Sequence, residues 1–343
     1  MKIVVLYTRL TGYWMACMRF DHQKKGNQYL LIRKDPNPEA PFSFNSEAGI
    51  NILDGDQLSA EDIKKTAKDF KPDVLYVAGW AEKRYLKTAL YFNKKGVPVI
   101  TGMDNQWLGN FKQRMAGLMS PLLVRKYFSH IWIPGDPQYI FAHHLGFSSN
   151  NILKGLYCAD EVIFNSVTQR KFERQITFVG RLVEHKGLQV LFEVIRELIQ
   201  NDQLLLKVHI IGNGPLAENI PNHKFIKNTS FVDPEELPAL LENSGFFILP
   251  SLYEAWGVVV HEAVLAGLPV ITTKQTGAAS AFVIPGHNGF IYDAPNAAEL
   301  KKILLEIGNL SDEDYLQMSN NSKEMASRIS LNTWSATLNS VVK

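Results

Sequence analysis

Short apolar runs alternate along this chain with segments whose apolar residues recur at helical spacing, and that alternation is the strongest constraint on its fold. An apolar run covered on both faces predicts a buried strand, and an intervening helix predicts a parallel crossover. In the first half, Lys2–Tyr7, 73–78 and 96–101 read as strands. Residues 59–70 read as a helix opened by Ser59 and Asp62 at capping-box spacing. Residues 111–145 read as mostly helical.

The second half repeats the pattern more sharply. Residues 175–180 form a strand ending in Gly180, and 187–200 a helix with apolar residues at 190/191, 194/195 and 198/199. Strands at 206–211, Phe246–Leu249 and 269–273 then alternate with helices at 234–243 and 258–266; Gly267 stands where a helix C-terminal glycine belongs. Residues 164–175 are polar and aperiodic, which places an interdomain linker there. The expectation is two doubly wound α/β domains, 1–165 and 166–329, facing a central cleft, with a C-terminal helix at about 330–343 packing back on the first.

Charge divides along the same line. The formal net charge is +2, yet residues 1–165 carry 21 Lys and Arg against 15 Asp and Glu, whereas 166–343 carry 15 against 19. A near-neutral total argues against a protein that coats nucleic acid, and the basic half suits an anionic ligand or membrane surface. Two cysteines, Cys17 and Cys158, cannot build a disulfide framework, which points to a reducing, cytoplasmic setting. No apolar run approaches the ~20 residues of a membrane-spanning helix, and the start reads as a first strand rather than a signal peptide.

Two loops carry the chemistry. In 180–187, Gly180 turns the chain after a strand, and Arg181 and Lys186 bring two cations next to a helix start, which suits a diphosphate. In 249–263, Glu254 lies in a loop and Glu262 inside the next helix, so they are not partners on one helical face. Carboxylates accept hydrogen bonds from paired hydroxyls such as those of a sugar or ribose. Gly257 lets the backbone approach a ligand, and the N–H groups of Val258 and Val259 open the helix. Glu262 stands in an otherwise apolar helix, where an unpaired carboxylate is costly.

With these residues in view, the chain resembles the retaining, nucleotide-sugar-dependent glycosyltransferases of family 4, which have the GT-B fold. The G-R-L-x-x-x-K-G pattern is present from Gly180 to Gly187, and E-x7-E as Glu254 and Glu262. Gly277 and the stretch from Gly286 to Phe290 complete the order over about 176–293. The resemblance implies that Arg181 and Lys186 grip the donor diphosphate and stabilise the leaving charge. It implies that Glu262 holds the ribose, Glu254 meets the transferred sugar, and Gly257, Val258 and Val259 supply backbone donors. Phe231 and Val232 match where the base is held.

The first half departs from the family. After the strand at 96–101, where relatives place a histidine, this chain has Asp104, either a hydroxyl acceptor or base or a turn-forming residue with Asn105. The loop after the first strand lacks the family's glycine pair, leaving Gly12 as the residue able to approach phosphates. Asp54-Gly55-Asp56 reads as a turn rather than a metal-binding D-x-D, and adjacent His143 and His144 do not form a ligand pair. Residues 111–132 mix Lys112, Arg114, Arg125 and Lys126 with Leu118, Leu122, Leu123 and Phe128. They form either a basic amphipathic surface for anionic lipid or a buried helix pair flanked by cations.

The expectation is a metal-independent, retaining glycosyltransferase without a resident cofactor. Its donor is a UDP- or GDP-type sugar, bound mainly by 176–293. Its acceptor is a glycan or lipid-linked hydroxyl on 1–165, in bacterial surface polysaccharide or glycolipid assembly at the inner face of a membrane. The alternatives are a GT-B-fold sugar-nucleotide epimerase and a non-catalytic sugar-nucleotide binding protein.

Overall fold

The computed structural model describes residues 1–34, 44–167 and 172–342. They fold as two compact units, one of Met1–Cys158 with Ile329–Lys343 and one of Ala159–Arg328. The chain enters the second unit seven residues before the expected boundary at 165/166, because the short helix Glu161–Phe164 packs on the later helix Val258–Leu265. Residues 168–171 of the expected linker, Thr168 among them, lie outside the described residues.

In the first unit, seven parallel strands follow in chain order: β1 Lys2–Tyr7, β2 Gln28–Arg33, β3 Ile50–Asp54, β4 Val74–Val77, β5 Val99–Gly102, β6 His130–Ile133 and β7 Ile152–Lys154. Their spatial order is β3-β2-β1-β4-β5-β6-β7. Central β1 is apolar because helices cover both faces, and everything after Lys2 is buried. Residues 111–145 are mostly helical as expected, with the strand β6 set between the helical segments. Ile131, Trp132 and Ile133 are all buried, and a strand buried on both faces has no period to distinguish it from a helix. The Asp54–Asp56 segment is a turn, in which the Asp56 N–H donates to Asp54 Oδ1 (2.8 Å), and the Ser59 capping box forms just after it.

The helix Leu331–Asn339 packs on the helix Gly12–Lys25 within this unit. Trp334 stands edge-on to Trp14 (5.3 Å between centroids), lies against Trp132 (5.1 Å) and donates its indole N–H to the Leu156 carbonyl (3.1 Å). Beside this aromatic cluster the fully buried Asp21 carboxylate accepts from Ser335 Oγ (2.6 Å), Asn339 Nδ2 (2.8 Å), Asn27 Nδ2 (2.6 Å) and the Tyr29 hydroxyl. Four donors compensate the burial of this carboxylate; without it the Ser335 and Tyr29 hydroxyls lose their acceptor, while the Asn27 and Asn339 amides each keep one other.

The second unit has six parallel strands: β8 Gln175–Val179, β9 Lys207–Ile211, β10 Ile226–Thr229, β11 Phe246–Leu249, β12 Val270–Thr273 and β13 Gly289–Tyr292. They are ordered β10-β9-β8-β11-β12-β13. On the helix Val258–Leu265, the buried imidazole of His261 joins the two ends of this unit. It accepts from the Ala159 N–H at Nδ1 (3.1 Å), so the proton sits on Nε2, which donates to the Ala326 carbonyl (3.1 Å). Burial, opposed by the Ala326 contact, lowers its pKa to about 4, which keeps the ring neutral near pH 7. Among the described residues no helix is long and apolar enough to cross a membrane.

Asp21→Ala is expected to destabilise the first unit by about 2–4 kcal/mol, since it orphans buried donors. Urea unfolding followed by tryptophan fluorescence reads this through Trp14, Trp132 and Trp334; an unchanged midpoint would contradict the role given to Asp21.

Candidate nucleotide-sugar site

Strand order in the second unit reverses at β8, which has β9 on one side and β11 on the other. Crossovers leave such a switch point in opposite directions, so the loops at the carboxyl ends of the two strands part and leave room for a ligand. Residues 180–187 follow β8, and 250–257 follow β11. The two sequence-predicted clusters therefore stand side by side at the position this topology opens.

The loops are laced together by their backbones. The N–H of Leu252 donates to the His185 carbonyl (2.9 Å). Gly187 has φ +68°, and a Cβ there would lie 2.0 Å from the Pro250 carbonyl oxygen, so only glycine permits the approach. From the β9 side, the Asn213 carbonyl accepts from the Leu182 N–H (2.8 Å). From the β12 side, the Glu254 N–H donates to the Gln275 carbonyl (3.1 Å), and the Glu254 carbonyl accepts from the Gly277 N–H (3.0 Å). Glu254 is thus fixed at its backbone before its side chain makes any contact.

Its side chain ion-pairs with Lys186 across the two loops, and Ser251 Oγ approaches the same oxygen at 3.5 Å. The Lys186 and Glu254 side chains are only 12% and 18% exposed, so water screens the pair weakly. Arg181, the first residue after Gly180, is exposed at the same edge. Gly257, with φ +94°, breaks the chain direction just ahead of the helix Val258–Leu265. The N–H groups of Val258 and Val259 fall in its first turn, where no carbonyl of the same helix can reach them.

Glu262 follows one turn after Val258, on the same side of that helix. It is half-buried, and among the described residues no group hydrogen-bonds its carboxylate. Burial and, secondarily, the charge of Asp160 push its pKa up to about 7. The site thus holds cations, helix-opening N–H groups, a paired carboxylate and a carboxylate poised to accept. That set has the chemistry to receive a phosphorylated polyol. Phe231 and Val232 lie in the loop after the edge strand β10, two strands from β8, and Phe231 is exposed.

Asp104 and Gly12 belong to the first unit. Gly12 opens the helix that follows β1, and a Cβ there would meet nothing within 4 Å, so space does not demand a glycine. Asp104, after β5, accepts from the Tyr157 hydroxyl at Oδ2 (3.2 Å), and its carbonyl accepts from Gln138 Nε2 (3.0 Å). The Tyr13 ring stands edge-on to Tyr157 (5.6 Å), and burial pushes the Tyr13 hydroxyl up to about 12. The sequence singles out neither tyrosine as a partner of Asp104, because contacts between loops from separate strands leave no spacing to read. His143 and His144 face different rings, Tyr139 and Trp107.

Residues 160–325 match the family model of the glycosyl transferases group 1. Over that segment the chain is similar to the group 1 glycosyltransferases. D-inositol 3-phosphate glycosyltransferase of Corynebacterium efficiens is 33% identical over 174 residues, which is 47% of this chain and 40% of the relative. The chain spans less than half the length of the curated relatives it matches first. Anabaena HepE, solved with UDP, superposes with TM-score 0.74 at 15% identity over 99% of both chains. WaaG, a glycosyltransferase involved in lipopolysaccharide biosynthesis, superposes with TM-score 0.67 at 12% identity over 100% of both. At those identities the likeness is one of fold, and the fold is GT-B.

The raised Glu262 pKa bears on the stability of the second unit. Between pH 4.5 and about 7 the folded chain keeps a proton that the unfolded chain has released, so this group's contribution falls as pH rises through that window. His261 acts oppositely, losing its contribution as pH falls from 6.5 towards 4. The difference in melting temperature between wild type and Glu262→Gln isolates the first effect. It should move against the wild type from pH 5 to pH 8; parallel profiles would contradict the assignment.

Proposed function

We propose that the chain is a retaining glycosyltransferase that moves a sugar from a nucleotide-diphosphate donor to a hydroxyl acceptor. The observation that carries this is the Lys186–Glu254 pair at the β8/β11 switch point, beside a helix opening and the unpaired carboxylate of Glu262. The group 1 match over 160–325 and the UDP held by HepE support the same reading. The donor is of UDP or GDP type.

Arg181 and Lys186 neutralise the diphosphate, so the leaving charge needs no metal ion. The N–H groups of Val258 and Val259 add donors to the phosphate oxygens, and Gly257 lets them approach. Glu262 accepts from the ribose hydroxyls, and Glu254 orients the transferred sugar near its anomeric carbon. Phe231 and Val232 border the base. In the first unit, Asp104 serves the acceptor side and Gly12 the donor phosphates. The bond from anomeric carbon to phosphate oxygen breaks as the acceptor oxygen bonds to that carbon on the same face. The acceptor proton passes to the departing phosphate.

The acceptor is a glycan or lipid-linked hydroxyl of surface polysaccharide or glycolipid assembly, handled by the basic residues 1–165 at the cytoplasmic face of a membrane. WaaG, of like fold, acts in lipopolysaccharide biosynthesis, and the first unit's charge suits an acceptor carrying phosphate.

Slow donor hydrolysis, measured as nucleoside diphosphate release from a panel of UDP, GDP, ADP and dTDP sugars, tests this without an acceptor. Release should occur with one base and fall about 10²–10³-fold in Arg181→Ala and in Glu254→Ala. Tight NAD(P) binding with no release from any donor would overturn the reading. Nucleotide affinity should also weaken in Glu262→Ala and, in wild type, as pH falls below about 7, because a protonated carboxyl accepts less well.

A further inference from the structure

The first unit carries an outward-facing surface that donor chemistry does not use. Leu108, Phe111, Leu118 and Leu122 are 60%, 79%, 75% and 61% exposed. Among the described residues, half of the large hydrophobic side chains that are exposed lie between 108 and 123. Such a concentration is unusual on a folded surface, where exposed apolar residues are normally scattered. It also decides the sequence alternative for 111–132. Val124 and Phe128 are buried, but the helix itself is not part of a buried pair.

The arrangement is specific. Phe111, Met115, Leu118 and Leu122 follow i, i+4, i+7 and i+11 spacing, one stripe along the helix Phe111–Ser120 and the turn Pro121–Arg125. The helix seats on Tyr139–His144 through Gly117, where a Cβ would come 2.9 Å from the His144 carbonyl oxygen. That contact turns the apolar stripe outward. Lys112 and Lys126 flank it and are exposed, with Arg114 and Arg125 nearby. From 105 to 135 the chain has four Lys and Arg and no Asp or Glu. Among the described residues no carboxylate pairs with any of the four cations. Beside the stripe, Trp107 stacked on His144 (4.0 Å) floors an open groove of about 600 Å³, with Arg114 and Leu118 at its sides.

We propose that the face 108–126 docks on an anionic lipid surface, with Phe111, Leu118 and Leu122 entering the headgroup–acyl boundary and Lys112 and Lys126 meeting lipid phosphates. Apolar insertion together with unpaired cations is what such a surface selects. A second copy of the chain is the wrong occupant, because a two-fold contact would set this acid-free face against itself. The proposal deepens the membrane-side acceptor reading above and rests on it. Its test uses neither donor nor acceptor, so the two succeed or fail separately.

The experiment is flotation of the full chain with vesicles of phosphatidylglycerol and phosphatidylcholine in equal parts, against phosphatidylcholine alone. Binding should require the anionic lipid and weaken as salt is raised. Leu118→Glu with Leu122→Glu should lower the bound fraction about tenfold or more. Lys112→Ala with Lys126→Ala should shift the salt midpoint downward. All four residues are exposed, so unchanged melting and an unchanged circular-dichroism spectrum establish that the variants are folded. Equal binding to phosphatidylcholine alone, or unchanged binding by the glutamate variant, would overturn the proposal. So would a dimer in light scattering that the glutamate variant abolishes while vesicle binding is absent.

Discussion

The ion pair between Lys186 and Glu254 is what makes the second unit a site and not only a sheet edge. A reversal in strand order separates the loops after β8 and β11, and separation alone would leave two mobile loops with opposite charges. Here the loops are held before the charges meet. Gly187 passes against the Pro250 carbonyl, Leu252 bonds His185, and the backbone of Glu254 is clamped by Gln275 and Gly277. The side chains therefore lose little further freedom in pairing, and their burial keeps water from screening them.

Around that pair the charges have different tasks because their surroundings differ. Glu254 has a cation, the Lys186 ammonium, against its carboxylate. Glu262 has none, sits nearer apolar groups, and holds its proton up to about pH 7. A hydroxyl pair arriving there supplies donors that the protein does not, and so favours the ionised form. On the same helix His261 does structural work, tying Ala159 to Ala326 as a neutral ring. One helix of eight residues thus carries the carboxylate with the raised pKa and the tie between the ends of its own unit.

How far the sequence disclosed this depends on whether a feature is local. Gly180 through Gly187 and Glu254 through Glu262 are each short segments whose spacing carries their place on strand, loop and helix, so both clusters could be read directly. The Lys186–Glu254 contact spans 68 residues and follows from strand order, which no local pattern encodes. In the first unit, β6 was hidden because Ile131, Trp132 and Ile133 are buried on both faces and show neither period. Edge strands β3 and β10 have mixed, partly exposed residues and offered no apolar run. The phenol at Asp104 and the four donors at Asp21 come from distant segments, and only the fold assembles them. The apolar stripe at 111–122 had the right spacing for burial; that it faces outward was settled by where Gly117 lets the helix sit.

The most direct measurement is a crystal structure of the chain soaked with the nucleoside diphosphate that binds most tightly in solution. The account predicts the diphosphate against the Lys186 Nζ and the N–H groups of Val258 and Val259, with the ribose hydroxyls on Glu262. A nucleotide bound elsewhere, with the Lys186–Glu254 pair and Glu262 untouched, would contradict it.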